Sequence, residues 1–168
     1  RILDKALNEI KSDFAEFWED MAYKTGPLVS PELYRKLALK HYRQITDLLI
    51  KNGVDIILLD SDGNVDKLIP IWLDGGINCI WPLEAAAGMD PIALRKKYGK
   101  SLGMIGGIDK RALAEGKTAI YKEVTSKVPF LMETGGYIPT CDHAVPPDVS
   151  LENYLYYLKV IKEIIGYA

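Results

Sequence analysis

Long apolar runs are missing from this sequence. The longest is about five residues, where a membrane-spanning helix needs about 20, so no segment is expected to cross a bilayer. Cysteine is scarce: Cys79 and Cys141 are the only two in 168 residues, too few for a disulfide framework. No signal-peptide pattern is visible after Arg1, and a cytoplasmic, reducing compartment is the expectation. No charge of one sign dominates. Lys and Arg number 21 against 23 Asp and Glu, a net charge of −2, and the basic residues are scattered among acids. Neither nucleic acid nor an anionic membrane is expected as the main partner. A glycine-rich phosphate loop is absent too: "GMIGGID" has the wrong spacing for G-x-G-x-x-G and lacks a Walker lysine-serine pair. The tract "DSDGN" is not a calcium loop, because Gly63 stands fourth rather than sixth and the terminal glutamate is missing.

What is present is a core's worth of apolar residues, 48% of the chain, arranged in a repeated beat. After a helical piece over Ile2 to Ile10, "FAEFWEDM" reads as a strand running into a loop. A long helix follows, with Ser30 as N-cap, Pro31 at the first helical position, Gly53 at its end, and an apolar stripe of Leu33, Leu37, Ile45, Leu48 and Leu49. "VDIILL" is the next strand, followed by a helix over Val65 to Leu73 and the strand "INCIW". Asp90-Pro91 starts a helix ending near Gly99, "LGMIG" is a strand, and Asp109 caps "KRALAEG". A helical pattern from Thr118 to Met132 leads to the strand "GYIPT". Ser150 caps a last helix whose expected face is Leu155, Leu158, Ile161 and Ile165. Five strands alternating with helices predict a parallel α/β architecture. Between an open doubly wound sheet and a barrel, we expect a partial (β/α)8 barrel, since a whole one takes about 250 residues. The chain is read as one domain or domain fragment over 1–168.

In such folds the chemistry gathers at the carboxyl ends of the strands. Those ends carry Glu19 and Asp20, then Asp60 and Asp62, then Trp81 and Glu84, then Gly106, Gly107 and Asp109, and finally Thr140, Cys141 and His143. Each has a plainer reading as well. Asp60, Asp62 and Asn64 suit the turn they occupy, Asp109 suits a helix cap, and Glu19 and Asp20 suit a surface pairing with Lys24. Cys79, mid-strand, reads as core, and His41 as a half-exposed packing residue of the long helix. Gly106-Gly107 and Gly135-Gly136 permit close backbone approach, to a ligand or within a turn. Cys141 and His143 are of the types that bind zinc, but a C-x-H pair supplies two of the three or four ligands needed. Glu84, Asp60 and Asp62 are the candidates for the remainder.

Read in order, "FWEDMAYKTGPLVSPELYRK", "IILLDSDGN", "WPLEAAAGMDPIALRKKYG", "GMIGGIDKRAL" and "GGYIPTCDHAVPPDVSLENY" resemble the carboxyl-terminal part of the uroporphyrinogen decarboxylase family. This is a (β/α)8 group that also contains methyltransferases acting on methylated corrinoids. The resemblance implies a pocket histidine in the last loop, matched by His143. Asp142 and Ala144 stand where the decarboxylases have flanking glycines, and Asp20 stands where they carry a pocket serine. The decarboxylases' pyrrole-gripping aspartate and carboxylate-binding arginines would fall outside this chain. The corrinoid-linked methyltransferases hold zinc through a His-x-Cys pair and a final cysteine. Cys141 matches the last, whereas Asp60-Ser61-Asp62 replaces the pair.

The resemblance therefore implies a methyltransferase-like member acting with a corrinoid (methylcobalamin) carrier, with uroporphyrinogen decarboxylation, which needs no cofactor, as the alternative. Catalytic candidates are His143, Glu84 and Asp20. Candidate substrate contacts are Glu19, Asp60, Asp62, Trp81 and Gly107. Cys141 is a candidate zinc ligand, with Glu84, Asp60 or His143 beside it. The expected partners are a small-molecule or tetrapyrrole substrate, a corrinoid protein, and a second copy or the missing barrel half. Pairing with another segment as a non-catalytic module is the reading from a different class.

Overall fold

The computed structural model describes residues 1–167, which form two compact units, Arg1–Trp81 and Pro82 onward. The first holds helix α1 (Ile2–Glu9), strand β1 (Phe14–Trp18), a hairpin of β2 (Ala22–Tyr23) and β3 (Gly26–Pro27), helix α2 (Pro31–Lys51), strand β4 (Ile56–Asp60), helix α3 (Ile69–Asp74) and strand β5 (Cys79–Trp81). β4 pairs in parallel with β1 and with β5. Side chains alternate along a strand, so register decides who shares a face. Glu16, Leu58 and Cys79 lie abreast, as do Trp18, Asp60 and Trp81 one layer nearer the strand ends. The opposite face carries Phe17, Leu59 and Ile80. It is covered by helices, since Phe17 meets the Tyr42 ring of α2 edge-on at 5.7 Å.

The second unit contains α4 (Pro91–Tyr98), β6 (Gly103–Ile105), α5 (Lys110–Glu115), α6 (Lys117–Glu133), β7 (Tyr137–Ile138) and α7 (Leu151–Ile165). β6 and β7 are parallel, and the pairing resumes at Ile108 and Cys141. The fold class is the expected one: α/β, five parallel β/α units of a partial (β/α)8 barrel. All four expected N-caps form. Ser30 Oγ accepts the N–H of Leu33, Asp90 that of Ile92, Asp109 that of Arg111, and Ser150 that of Asn153, each contributing about 1 kcal/mol. No described helix is long and apolar enough to cross a membrane.

Three expectations need correction. The buried face of α2 is Tyr34, Tyr42, Thr46 and Leu49, while Leu33, Leu37 and Ile45 are exposed. Hydropathy ranks leucine above tyrosine, but these hydroxyls are satisfied inside. The Tyr34 and Tyr42 oxygens are 2.5 Å apart, and Trp72 Nε1–H donates to Tyr34 at 3.0 Å. Once its polar tip is paired, tyrosine buries as a large apolar group. In α7 the buried residues are Tyr157, Val160 and Ile161, and Leu155 is exposed, a rotation with the same cause: Tyr157 is drawn in beside Cys141. The helix expected from Val65 starts at Ile69, because Val65 to Leu68 form turns before Pro70 sets the first helical turn.

Candidate functional site

At the end of β1 the chain turns sharply. Asp20 takes a left-handed φ of +52°, a region Asp tolerates better than most residues. Its carboxylate accepts the indole N–H of Trp18 at 3.0 Å and the backbone N–H of Asp62 at 3.1 Å. Asp20 thus ties the first strand-end loop to the second. Glu16, Trp18 and Asp60 line an open cavity of about 370 Å³ on the face away from the helices. Trp81 lies beside Asp60 on that face by register. Glu19 points the other way: its carboxylate accepts the Tyr34 hydroxyl at 3.3 Å, behind the sheet. Gly63 (φ +82°) passes so close to the hairpin that an added Cβ would lie 2.6 Å from the Ala22 carbonyl oxygen, which fixes the loop carrying Asp62. Cys79, below in the same layer as Glu16, has its thiol pushed up to about 11 by burial, so it stays protonated.

In the second unit the strand ends converge on a residue whose role the sequence did not reveal. Asp142 is fully buried. Its Oδ2 accepts the N–H of Ala85 at 2.8 Å and its Oδ1 the N–H of Lys110 at 3.1 Å, while its own N–H donates to the Ile108 carbonyl at 2.8 Å. One carboxylate therefore fixes the loop after Pro82, the start of α5 and the loop after β7. Burial pushes its pKa up, against the pull of these two N–H groups and the Lys110 charge. Glu84, next to Ala85, lies 3.5 Å from Lys110 Nζ, both about a quarter exposed. Leu83, just before it, is buried with a φ of +61°. This strained conformation is of the kind that persists where surroundings over-determine the backbone. Cys141 is buried, and burial first, then the Asp142 charge, raises its thiol pKa. The backbone N–H groups of His143 and Asp142 pull in the other direction.

Gly107 is held by its own unit: its N–H donates to the Pro82 carbonyl at 3.0 Å, its carbonyl accepts Lys127 Nζ at 2.9 Å, and Pro91 fills the space of a Cβ. Its neighbour Gly106 runs against Pro82 even more closely. Asp109 caps α5, accepts from Arg111 with both oxygens, and donates its backbone N–H to the Glu123 carboxylate at 2.8 Å.

The sequence model of the family described as Uroporphyrinogen decarboxylase (URO-D) matches residues 16–164. The chain belongs to the uroporphyrinogen decarboxylase family. A solved methyltransferase from Methanosarcina mazei matches 99% of this chain with a TM-score of 0.63 at 17% identity, a likeness of fold. The chain spans 46% of that structure's length. No curated protein sequence matches.

Within the family frame, the structure brings Asp20 and Asp62 together, and Trp18, Asp60 and Trp81. In the second unit it brings Glu84, Lys110 and Asp142 together. Glu19 is turned toward the helices. Asp142, Lys110, Glu16 and Trp18 were not singled out by the sequence, because their importance rests on partners or register that no local pattern encodes. Among the described residues no three His, Cys, Asp or Glu side chains converge on a metal position, and the carboxylate nearest Cys141 is committed to two N–H groups.

Proposed function

We propose that the protein is a methyltransferase-like member of the family that works with a corrinoid (methylcobalamin) carrier. Asp142 carries this reading. Where the resemblance gives decarboxylases a glycine before the loop histidine, this chain has a buried carboxylate that holds two other loops through Ala85 and Lys110. Glycine has no side chain to do so, and a loop built around Asp142 is a different loop. Cys141, at the position of the methyltransferases' last cysteine, supports the same branch, and the fold likeness to the archaeal methyltransferase agrees with it.

A methylcorrinoid supplies an electrophilic methyl group. The chain's own residues position what receives it. Lys110 and Glu84 present a cation and a carboxylate side by side at the strand ends, suited to holding and orienting a polar, charged acceptor. Cys141 is held as the thiol by burial and by Asp142, so it is not the attacking group here. His143 follows the clamp directly and is carried by it.

The test is demethylation of methylcobalamin by the full-length protein with a small thiol as acceptor, followed by visible absorbance. Turnover is expected, reduced about tenfold or more in Lys110→Met through lost orientation. No demethylation, together with release of carbon dioxide from uroporphyrinogen, would overturn the reading in favour of the activity in the family's description. Metal content with and without Cys141→Ser closes the zinc question independently: stoichiometric zinc lost in the variant would show a site assembled by residues other than those seen converging.

A further inference from the structure

We infer that Leu83 is a positioning residue of the candidate site in the second unit: its strained backbone is the means by which the loop after Pro82 delivers Glu84 to Lys110. Leu83 takes a φ of +61°, where a leucine is disfavoured by roughly five- to thirtyfold. Asp20 is the other non-glycine residue with a positive φ among those described, but aspartate tolerates that region. The cause of the strain lies on either side of Leu83. Before it, the Pro82 carbonyl accepts the N–H of Gly107 at 3.0 Å, and Gly106 runs so close that an added Cβ would overlap the Pro82 oxygen. After it, the N–H of Ala85 donates to Asp142 at 2.8 Å, and the Glu84 carbonyl accepts the N–H groups of Ala87 and Met89 at 3.0 and 3.2 Å. With both ends fixed, Leu83 and Glu84 must complete the bend between them. Glu84 has ordinary extended angles, φ −62° and ψ 107°. The left-handed turn falls to Leu83.

Burial explains the leucine but not its backbone. The side chain is 2% exposed and packs as core, yet a leucine can be buried from an ordinary φ as well. Glycine would make the same turn without strain, but it would also leave the bend free to move. The buried side chain holds a backbone that would otherwise relax. What it holds in place is the pair of Glu84 and Lys110, 3.5 Å apart and each about a quarter exposed. Strain kept by surroundings that over-determine it clusters at functional sites. That the pair serves methyl transfer rests on the function proposed above. That Leu83 sets the pair does not, and its test reads no turnover, so either reading can fail alone.

The experiment sets stability against positioning in the full-length protein. Leu83→Ala and Leu83→Gly lose nearly the same packing and differ in their tolerance of a positive φ. The glycine variant is expected to be the more stable of the two, by roughly five- to thirtyfold in the unfolding equilibrium constant from urea titration. Its Lys110 is nonetheless expected to be acetylated roughly two- to fivefold faster than in the alanine variant, the size of a loosened ion pair. Competitive labelling read by mass spectrometry measures this. A residue that only packs would move both readouts together, the more stable variant being the less reactive. Leu83→Met and Leu83→Ile supply a second pair, since both conserve volume but a β-branched residue is a genuine outlier at positive φ. Methionine should match the parent in both readouts. Isoleucine should lose about tenfold in the unfolding constant and label Lys110 faster while still folded. This pair decides the matter if neither smaller variant folds. The inference is overturned if alanine and glycine are equally stable, if the glycine variant labels Lys110 no faster, or if isoleucine matches methionine in either readout.

Discussion

Asp20 and Asp142 do the same job under opposite conditions. Each stands at a strand end, and each gives its two carboxylate oxygens to N–H groups of neighbouring segments: Trp18 and Asp62 for Asp20, Ala85 and Lys110 for Asp142. Asp20 does so in water, on a left-handed backbone, beside an exposed tryptophan. Asp142 does so with no exposed surface at all. In the N-terminal unit the hydrogen bonds arrange an exposed turn at the strand ends. In the C-terminal unit they close three loops onto one another. Water can replace a lost partner in the first case but not in the second, so equal numbers of hydrogen bonds carry unequal energies.

Removing the buried clamp is the largest effect we expect. Asp142→Ala leaves the part-buried N–H groups of Ala85 and Lys110 without their acceptor, each costing about 1–3 kcal/mol, so a loss of roughly 2–4 kcal/mol is expected. Urea unfolding with an unchanged slope measures it as a shift in midpoint. The matched pair Asp142→Asn and Asp20→Asn sharpens the contrast. Asparagine keeps the shape but puts an NH2 against one donor, which should cost about 1–3 kcal/mol at the buried site. At the exposed site, where asparagine also suits the left-handed backbone, about 0.5 kcal/mol or less is expected. Equal losses at the two positions would break the comparison.

Behind the exposed turn lies a buried network that should behave like the clamp. Tyr34 accepts from the Trp72 indole and donates to Glu19. Burial raises its pKa, so the hydroxyl stays protonated. Tyr34→Phe strands the N–H of Trp72, itself 1% exposed, and is expected to cost about 1–3 kcal/mol. Tyr42→Phe leaves that N–H paired and should cost less, about 1 kcal/mol. If the two variants unfold at the same urea concentration, Trp72 is not held by Tyr34 in the way described.

The sequence made the helix starts legible and the helix faces misleading. Ser30, Asp90, Asp109 and Ser150 cap because capping is decided within three residues. The faces of α2 and α7 turn instead on whether distant groups satisfy a tyrosine hydroxyl. Leu33 and Leu37 were therefore ranked above Tyr34 and Tyr42 although the helix buries the tyrosines. The strand ends were legible in the same local sense, and the rim residues Asp20, Asp60, Asp62 and Glu84 stand at them. Their partners were not. Asp142 reaches across 57 residues to Ala85 and 32 to Lys110, and the row of Trp18, Asp60 and Trp81 exists only once strand register is fixed. Gly106 and Gly107 illustrate the ambiguity that remained. Their permissive backbone could have served a ligand, and it serves Pro82 and Pro91.

The smallest expected effect is one of pH, and it contrasts two acids of the same unit. Burial alone would raise the pKa of Asp109, but the hydrogen bonds and charge of Arg111 prevail and lower it. A carboxylate with a lowered folded-state pKa contributes stability above its unfolded pKa of about 3.9 and loses it as pH falls through the folded value. Asp142, raised by burial, works with the opposite sign. Its contribution is complete below about pH 3.9 and is lost as pH rises through its folded value. Asp109→Asn keeps an oxygen for the cap but not the charge. It should therefore flatten the acid limb of a stability–pH curve while changing neutral stability by about 1 kcal/mol or less, since the Arg111 end of the pair is 60% exposed though Asp109 is only 19% exposed. Asp142→Asn should instead remove a decline that begins on leaving the acid range. Curves for the two variants that bend in the same direction would show that burial does not outweigh the N–H donors at Asp142, and the energetic distinction between the buried clamp and its exposed counterpart would go with it.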